Sequence, residues 1–309
     1  MADIVVMLVG VVFAGLGGEL FVRGAVGLSV WARIPAGVIG TTVAAFATSS
    51  PEMSVAIQAA RSGRPEIALG DALGSNVINI GLVLGVTIAL GSLPVERRLV
   101  RRELVVAAAA PLLTVAVLID GTMATSEAVV LAVAFVAWLA VVTREAWRAR
   151  SAAVEAVKPP RRFAAVGTSI AGLALLMLAG RIIVSAAKGL GDTLGLHPFV
   201  VGATLVAAGT SAPELATAVI SRRRGHAEVG LGTVLGSNVF NNLAIVALAG
   251  LIEPIRIAAT DVVIAVVACL VALGLVVPGR SASIPRWRGA VLLAVVAAYT
   301  VASVVAGTA

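Results

Sequence analysis

The sequence predicts an all-α membrane protein: ten transmembrane helices in two inverted five-helix repeats. Three observations carry this prediction. Hydrophobic residues make up 60% of the 309 and charged residues only 13%, with a mean hydropathy of +1.06, whereas soluble chains carry about a quarter charged residues. A long pattern also occurs twice. Gly40 to Glu52 reads GTTVAAFATSSPE and Gly202 to Glu214 reads GATLVAAGTSAPE, while Gly70 to Asn79 reads GDALGSNVIN and Gly232 to Asn241 reads GTVLGSNVFN. Adding 162 carries every position of the first copy onto the second without a gap. Finally, the basic residues punctuate the apolar runs in alternate loops, as orientation signals do.

A span needs about 20 mostly apolar residues. Taken in order, the candidates are 3–22, 35–60, 66–91, 100–119, 124–143, 163–181, 197–221, 227–252, 257–277 and 287–307. The opening MADIVVMLVG lacks a basic n-region, so it is read as the start of the first span and not as a cleaved signal. The second and third spans carry the first copy of the motifs, within 40–85. The seventh and eighth carry the second, within 202–247. Between the fifth and sixth lies REAWRARSAAVEAVKPPRR, whose charge and Pro159–Pro160 pair mark a linker. The division is therefore 1–143, a basic linker at 144–162, and 163–309. Five spans per repeat is an odd number, so the second copy enters the membrane from the opposite side.

Charge placement sets the orientation. The loops with Arg23 and Arg33, Arg97 to Arg102, Arg144 to Arg162, Arg222 to Arg224 and Arg280 to Arg288 hold 18 of the 23 basic residues; the other side holds 5. The positive-inside rule places the first set, including 144–162, in the cytoplasm of a cell membrane with both termini outside. The same placement explains the net charge of +7 without nucleic acid as a partner. The partner is the lipid bilayer. The lone Cys269 sits in an apolar run and excludes a disulfide framework.

The duplicated polar residues carry the chemistry. Thr48 and Glu52 are four apart, as are Ser75 and Asn79, Thr210 and Glu214, and Ser237 and Asn241. Such pairs share a helix face, so four helices can turn oxygen-bearing side chains toward one centre. Pro51 and Pro213 lack an N–H and crowd the preceding turn, which is expected to release backbone oxygens around Ala45–Ala47 and Ala207–Gly209. Glycines 70, 74, 232 and 236 are expected to permit close approach or local unwinding. Hydroxyls in membrane helices often only bond a backbone carbonyl. A carboxylate in mid-span is costly, however, and two at matched positions mark a functional site. The inventory is hard oxygen, which suits Ca²⁺ or Na⁺ and disfavours Zn²⁺, Cu⁺ and iron.

Thr48-Ser49-x-Pro51-Glu52 and Gly74-Ser75-Asn76-x-x-Asn79, with their second-copy equivalents, resemble the two alpha-repeats of the sodium/calcium exchanger family, within the Ca²⁺/cation antiporter superfamily. The resemblance implies a central metal site built by Glu52 and Glu214 and flanked by Thr48, Ser49, Thr210, Ser211, Ser75 and Ser237. Carbonyls of Ala45 and Ala207 would complete it, with Asn79 and Asn241 beside the centre. It implies a secondary antiporter exchanging Ca²⁺ for Na⁺ by alternating access, with no enzyme activity and no cofactor. A H⁺/Ca²⁺ antiporter is the alternative and a cation channel a more distant one.

Two departures stand out. Asn241 occupies a position where some prokaryotic and K⁺-dependent relatives carry Asp, which argues against K⁺ dependence. Asp71 stands where relatives often have Asn; one helical turn before Ser75 it could face the ion path, and a capping or vestibule role is the preferred expectation for it. Glu19, His197 and His226 are expected at span edges outside the duplicated chemistry. Trp138 and Tyr299 are expected in the core or at the membrane interface.

Overall fold

The computed structural model describes residues 2–34, 36–95, 97–152, 162–194, 198–279 and 283–307. Among them the chain forms ten helical rods. They are α1 (Ala2–Ala32), α2 (36–61), α3 (65–89), α4 (Arg97–Val117), α5 (Thr125–Ala152), α6 (Arg162–Leu194), α7 (198–223), α8 (227–252), α9 (Ala259–Val276) and α10 (Arg286–Gly307). Within the described residues six stretches are long and apolar enough to cross a bilayer, for example Pro65–Ala89 and Ala227–Ile252. Gly37–Thr48, Phe163–Ala179 and Val262–Val276 are shorter apolar helices.

The rods follow the expected spans closely, with three departures. Helix α1 runs on to Ala32 and α6 to Leu194. Glu19 and Arg23 pair one turn apart at 2.9 Å, which keeps charge expected in a loop on a continuing helix. At about 1.5 Å per residue these helices span roughly 46–50 Å, more than a hydrocarbon core of about 30 Å, so they tilt or project. Helix α5 likewise continues through Ala152, making the first part of the expected linker helical. Residues 153–161 and His197 lie outside the described residues.

The inverted duplication appears in the connections. Helix α2 turns into α3 through Gly63 (φ 68) and α7 into α8 through Gly225 (φ 78). There the N–H of Arg64 donates to the Ala59 carbonyl at 3.0 Å and that of His226 to Ser221 at 2.8 Å. This is the Schellman closure, whose left-handed residue favours glycine. Two short clips tie the repeats together. Strand β1 (Leu93–Pro94) pairs antiparallel with β4 (Ser283–Ile284), and β2 (Thr122–Met123) with β3 (Ile255–Arg256).

Helices α2, α3, α7 and α8 form the centre, and each repeat grips the other. A Cβ on Gly40 would stand 2.5 Å from the carbonyl oxygen of Val229, and one on Gly202 2.6 Å from that of Ile67. So α2 lies against α8, and α7 against α3, at backbone contact. Outside this centre α1 and α6 pack along one another. Apolar side chains point outward around the rim, among them Val129, Val133 and Val136 on α5 and Val263, Val267 and Val271 on α9. That apolar outer face belongs in lipid. The protein is a multi-pass membrane protein.

The central helices are not regular. Each contains one widened π-helical stretch, at Gly40–Ala44, Asn79–Leu84, Gly202–Val206 and Phe240–Ile245. Of the two roles expected for glycines 70, 74, 232 and 236 the structure shows close approach, a Cβ on Gly70 standing 2.5 Å from the Phe199 carbonyl and one on Gly232 2.5 Å from that of Gly37; the chain stays helical but expands in the widened turns, a feature common at functional sites. Threonines reinforce the entry to two of these turns. Thr42 Oγ1 donates to the Val38 carbonyl at 2.8 Å and Thr204 Oγ1 to that of Val200 at 2.6 Å.

Candidate metal centre

Helix α2 breaks at Ser49 (φ −81, ψ 8) and α7 at Ser211 (φ −77, ψ 2). Pro51 and Pro213 explain the break, because neither can donate to the turn before it. New helical segments then begin, Ser50–Arg61 and Ala212–Arg223, with Glu52 and Glu214 in their first turns. An acidic side chain is favoured there by the helix dipole. The Ser49-x-x-Glu52 and Ser211-x-x-Glu214 spacing is that of a capping box. Neither serine makes a capping hydrogen bond, and both hydroxyls lack a protein partner. Polar groups that usually satisfy each other at a helix start are left open here.

The carbonyls of Ala45 and Ala207, expected among those released, keep their helical hydrogen bonds. The Ala45 carbonyl accepts the N–H of Ser49 at 3.0 Å and the hydroxyl of Thr48 at 3.4 Å. That of Ala207 accepts Ser211 N–H at 3.0 Å, with Thr210 Oγ1 3.3 Å away. The i+4 donor that proline removes is the one to Ala47, whose oxygen takes the Ser50 hydroxyl at 2.7 Å. The break is repaired locally.

The remaining expected residues do converge, in pairs that cross between repeats. Thr48 Oγ1 lies 3.4 Å from Ser237 Oγ, and Ser75 Oγ 3.3 Å from Thr210 Oγ1. Neighbouring oxygens around a cation held at about 2.4 Å are roughly 3.4 Å apart in octahedral geometry, so each pair fits two adjacent corners of one shell. Asn79 Nδ2 donates to Asn238 Oδ1 at 3.1 Å and Asn241 Nδ2 to Asn76 Oδ1 at 3.2 Å. The same offset of 162 relates the two members of each set.

Glu52, Glu214, Thr48, Ser49, Ser75, Thr210, Ser237, Asn79 and Asn241 are fully buried, and Ser211 nearly so. Glu214 Oε1 accepts the Ser237 hydroxyl at 3.0 Å, and Thr48, one turn before Glu52, lies 3.4 Å from that same hydroxyl. Seven oxygens among these residues have no hydrogen-bond partner in the protein: both of Glu52, Oε2 of Glu214, the hydroxyls of Ser49 and Ser211, and Oδ1 of Asn79 and Asn241. Buried polar atoms are normally satisfied, and exceptions need a cause. Among the described residues no three His, Cys, Asp or Glu side chains group as a metal site on their own. The two carboxylates would depend on hydroxyl and amide oxygens to complete a shell, as hard cations accept.

Sequence reasoning missed two participants and ranked a third too low. Asn76 and Asn238 hold the amides of Asn241 and Asn79 across the repeat boundary; their place in both Gly-Ser-Asn motifs was the available signal. Asp71, expected at a vestibule, is fully buried beside the centre. Its Oδ1 accepts the Thr210 hydroxyl at 3.1 Å, with Ser75 Oγ at 3.5 Å. The other polar and aromatic residues stand apart. Glu19 meets Arg23 and Arg224, and His226 lies 3.5 Å from Glu228 at an exposed turn. Trp138 packs edge-on against Phe240, and Tyr299 donates to the Ala203 carbonyl at 3.3 Å, so both belong to the core. Cys269 is buried.

Comparison with known proteins agrees in its extent with this duplicated arrangement. The profile of the family described as sodium/calcium exchanger protein matches twice, over residues 3–144 and 164–305. The inner membrane protein YrbG of Escherichia coli (strain K12) is 32% identical over 230 residues, 72% of this chain and 71% of that one. The sodium/calcium exchanger MaX1 of Methanosarcina acetivorans is 26% identical over 357 aligned positions, 97% of both chains. Among solved structures, the sodium-calcium exchanger NCX_Mj superposes with a TM-score of 0.80 at 26% identity, covering 96% of each chain.

Proposed function

The chain belongs to the sodium/calcium exchanger protein family, and from that premise we propose that it exchanges Ca²⁺ for Na⁺ at one shared site formed around Glu52 and Glu214. As a membrane antiporter of cations it must hold a desolvated ion at mid-depth and release it to either side. The observation that carries the reading is the set of seven buried oxygens without a protein partner, drawn from matched residues of both repeats. Ca²⁺ takes six to eight oxygens at about 2.3–2.6 Å, and two carboxylates balance its charge. Na⁺ competes for the same oxygens, and that competition couples the two fluxes.

The ligands we assign are the Glu52 and Glu214 carboxylates, the hydroxyls of Thr48, Ser49, Ser75, Thr210, Ser211 and Ser237, and the side-chain oxygens of Asn79 and Asn241. The Ala45 and Ala207 carbonyls join the shell when the Thr48 and Thr210 hydroxyls turn from them toward the ion. Like charges held together in a water-poor cavity disfavour an empty crossing, so the carrier crosses loaded. Alternating access follows from movement of α1 and α6, which pack closely on each other outside the four central helices. The basic loops face the cytoplasm of a cell membrane and both termini lie outside, by the charge asymmetry already given. Structures of the related exchanger NCX_Mj soaked with Na⁺ and either Ca²⁺ or Sr²⁺ concern extracellular ion exchange and induced binding-site occlusion in that protein.

The test is uptake of labelled Ca²⁺ by proteoliposomes under an outward Na⁺ gradient, repeated with pH and K⁺ gradients. Uptake driven by Na⁺ alone supports the assignment. Uptake driven by a pH gradient and indifferent to Na⁺ replaces it with H⁺/Ca²⁺ exchange through the same carboxylates.

A further inference from the structure

The two halves of the centre are not wired alike, and one residue accounts for the difference. At the Glu214 side Ser237 Oγ donates to Glu214 Oε1 at 3.0 Å. At the mirror position Ser75 does not donate to Glu52, and both Glu52 oxygens are without a hydrogen bond. The residue that differs is Asp71, whose counterpart at the offset of 162 is Thr233. Thr233 spends its hydroxyl on its own helix, donating to the Val229 carbonyl at 2.8 Å. Asp71 instead faces the centre and takes the Thr210 hydroxyl at 3.1 Å, with Ser75 at 3.5 Å.

A hydroxyl has one proton and two acceptor lone pairs, while an ionised carboxylate only accepts. A hydrogen bond to an ionised acceptor is roughly twice as strong as a neutral one. Asp71 therefore draws the hydroxyl protons of Thr210 and Ser75 to itself. Their lone pairs are left for a cation, and Glu52 keeps both oxygens free. On the other side a cation must first displace the proton that Ser237 gives to Glu214.

On the reading that Glu52 and Glu214 bind Ca²⁺, we infer that Asp71 is a positioning residue. It orients the Thr210 and Ser75 hydroxyls as pure acceptors and thereby sets the Ca²⁺ affinity of the Glu52 half of the site. It need not touch the ion. An amide in its place keeps the shape but offers N–H donors that consume the same lone pairs. Threonine in its place copies the second repeat.

The experiment measures equilibrium binding of labelled Ca²⁺ to the full-length purified protein, wild type, Asp71→Asn, Asp71→Thr and Thr210→Val, with Asp71→Asn also made in the Thr210→Val background. Asp71→Asn and Asp71→Thr are each expected to raise the Kd by about tenfold, the scale of losing one charge-assisted hydrogen bond. In transport the loss appears in KM, with the rate at saturating Ca²⁺ nearly kept. In the Thr210→Val background Asp71→Asn is expected to change the Kd by no more than about threefold, because the contact at 3.1 Å is gone and only the longer one with Ser75 at 3.5 Å remains. A merely structural Asp71 would lower the amount of folded protein without this non-additivity. A Kd within twofold of wild type in both Asp71 variants, or multiplying effects of Asp71→Asn and Thr210→Val, overturns the inference. If Na⁺ fails to drive uptake while Ca²⁺ binding and its loss in Asp71→Asn persist, Na⁺ coupling falls and this inference stands.

Discussion

The two copies of the central motif share a backbone but not a hydrogen-bond network. Their breaks at Ser49 and Ser211 agree within a few degrees, and Gly40 and Gly202 meet the opposite repeat at nearly the same distance. Polar wiring diverges where single residues differ. Asp71 stands opposite Thr233. Asn242 stands opposite Ile80 and donates to the Asn238 carbonyl at 2.9 Å. Asn238 Nδ2 in turn reaches the Asn76 carbonyl at 3.1 Å, but Asn76 Nδ2 makes no return bond, and the matching acceptor, the Asn238 carbonyl, takes Asn242 Nδ2. The lesson is that inversion supplies the frame, while a few unpaired substitutions make the two glutamates chemically unequal.

The largest effect should come from the carboxylates themselves. Glu52→Gln and Glu214→Gln are each expected to weaken Ca²⁺ binding about a hundredfold, roughly 2.8 kcal/mol. Glu52→Gln should be the worse of the two, because both of its oxygens are free while Glu214 already shares one with Ser237. Equal losses by titration calorimetry would break the claimed inequality.

Backbone symmetry makes the opposite forecast. Gly40→Ala and Gly202→Ala push a methyl against a carbonyl of the other repeat, so each should destabilise by about 1–3 kcal/mol, as overpacking does. The two drops in melting temperature should match in detergent; a marked difference would mean that the halves are not packed alike.

Asn242→Ile restores the residue of the first repeat. Thr114, which approaches Asn242 Oδ1 at 3.4 Å, keeps the Ala110 carbonyl at 3.2 Å, and Asn76 Nδ2 gains access to Asn238. The expected cost is under about 1 kcal/mol. A loss above that scale in thermal unfolding would make the asymmetry a structural requirement and not a tolerated variation.

Smallest of all is Arg224→Ala, which removes the pairing of Arg224 with Glu19. Both groups are partly exposed, so a change below about 1 kcal/mol is expected. A larger shift in unfolding would show that contact between α1 and the α7–α8 turn carries more of the fold than a surface ion pair can.

Much of this was legible beforehand because it rests on cost. A glutamate inside an apolar run is expensive wherever it sits, so Glu52 and Glu214 announced a site without coordinates. The ten spans were legible for the same reason, since apolar length is a local property. The extent of α1 was not, because the Glu19–Arg23 pair keeps a charged segment helical. The widened turns at Gly40–Ala44 and its three counterparts were not either: they answer to close contact with the other repeat, which local composition does not encode. Asp71 was visible as a departure, but its direction was not.

By itself, then, the sequence determined that the chain lies in a membrane, that it is built twice in opposite senses, and that hard oxygens collect at matched positions. Burial cost and periodicity are properties of residues and short segments, and they survive without a fold. Only the tertiary structure decided which hydroxyl gives its proton to which carboxylate. Ser237 sits 23 residues from Glu214 and Thr210 139 residues from Asp71, each pair on different helices, and a hydrogen bond depends on distances of a few tenths of an ångström that only the packing of the central helices sets.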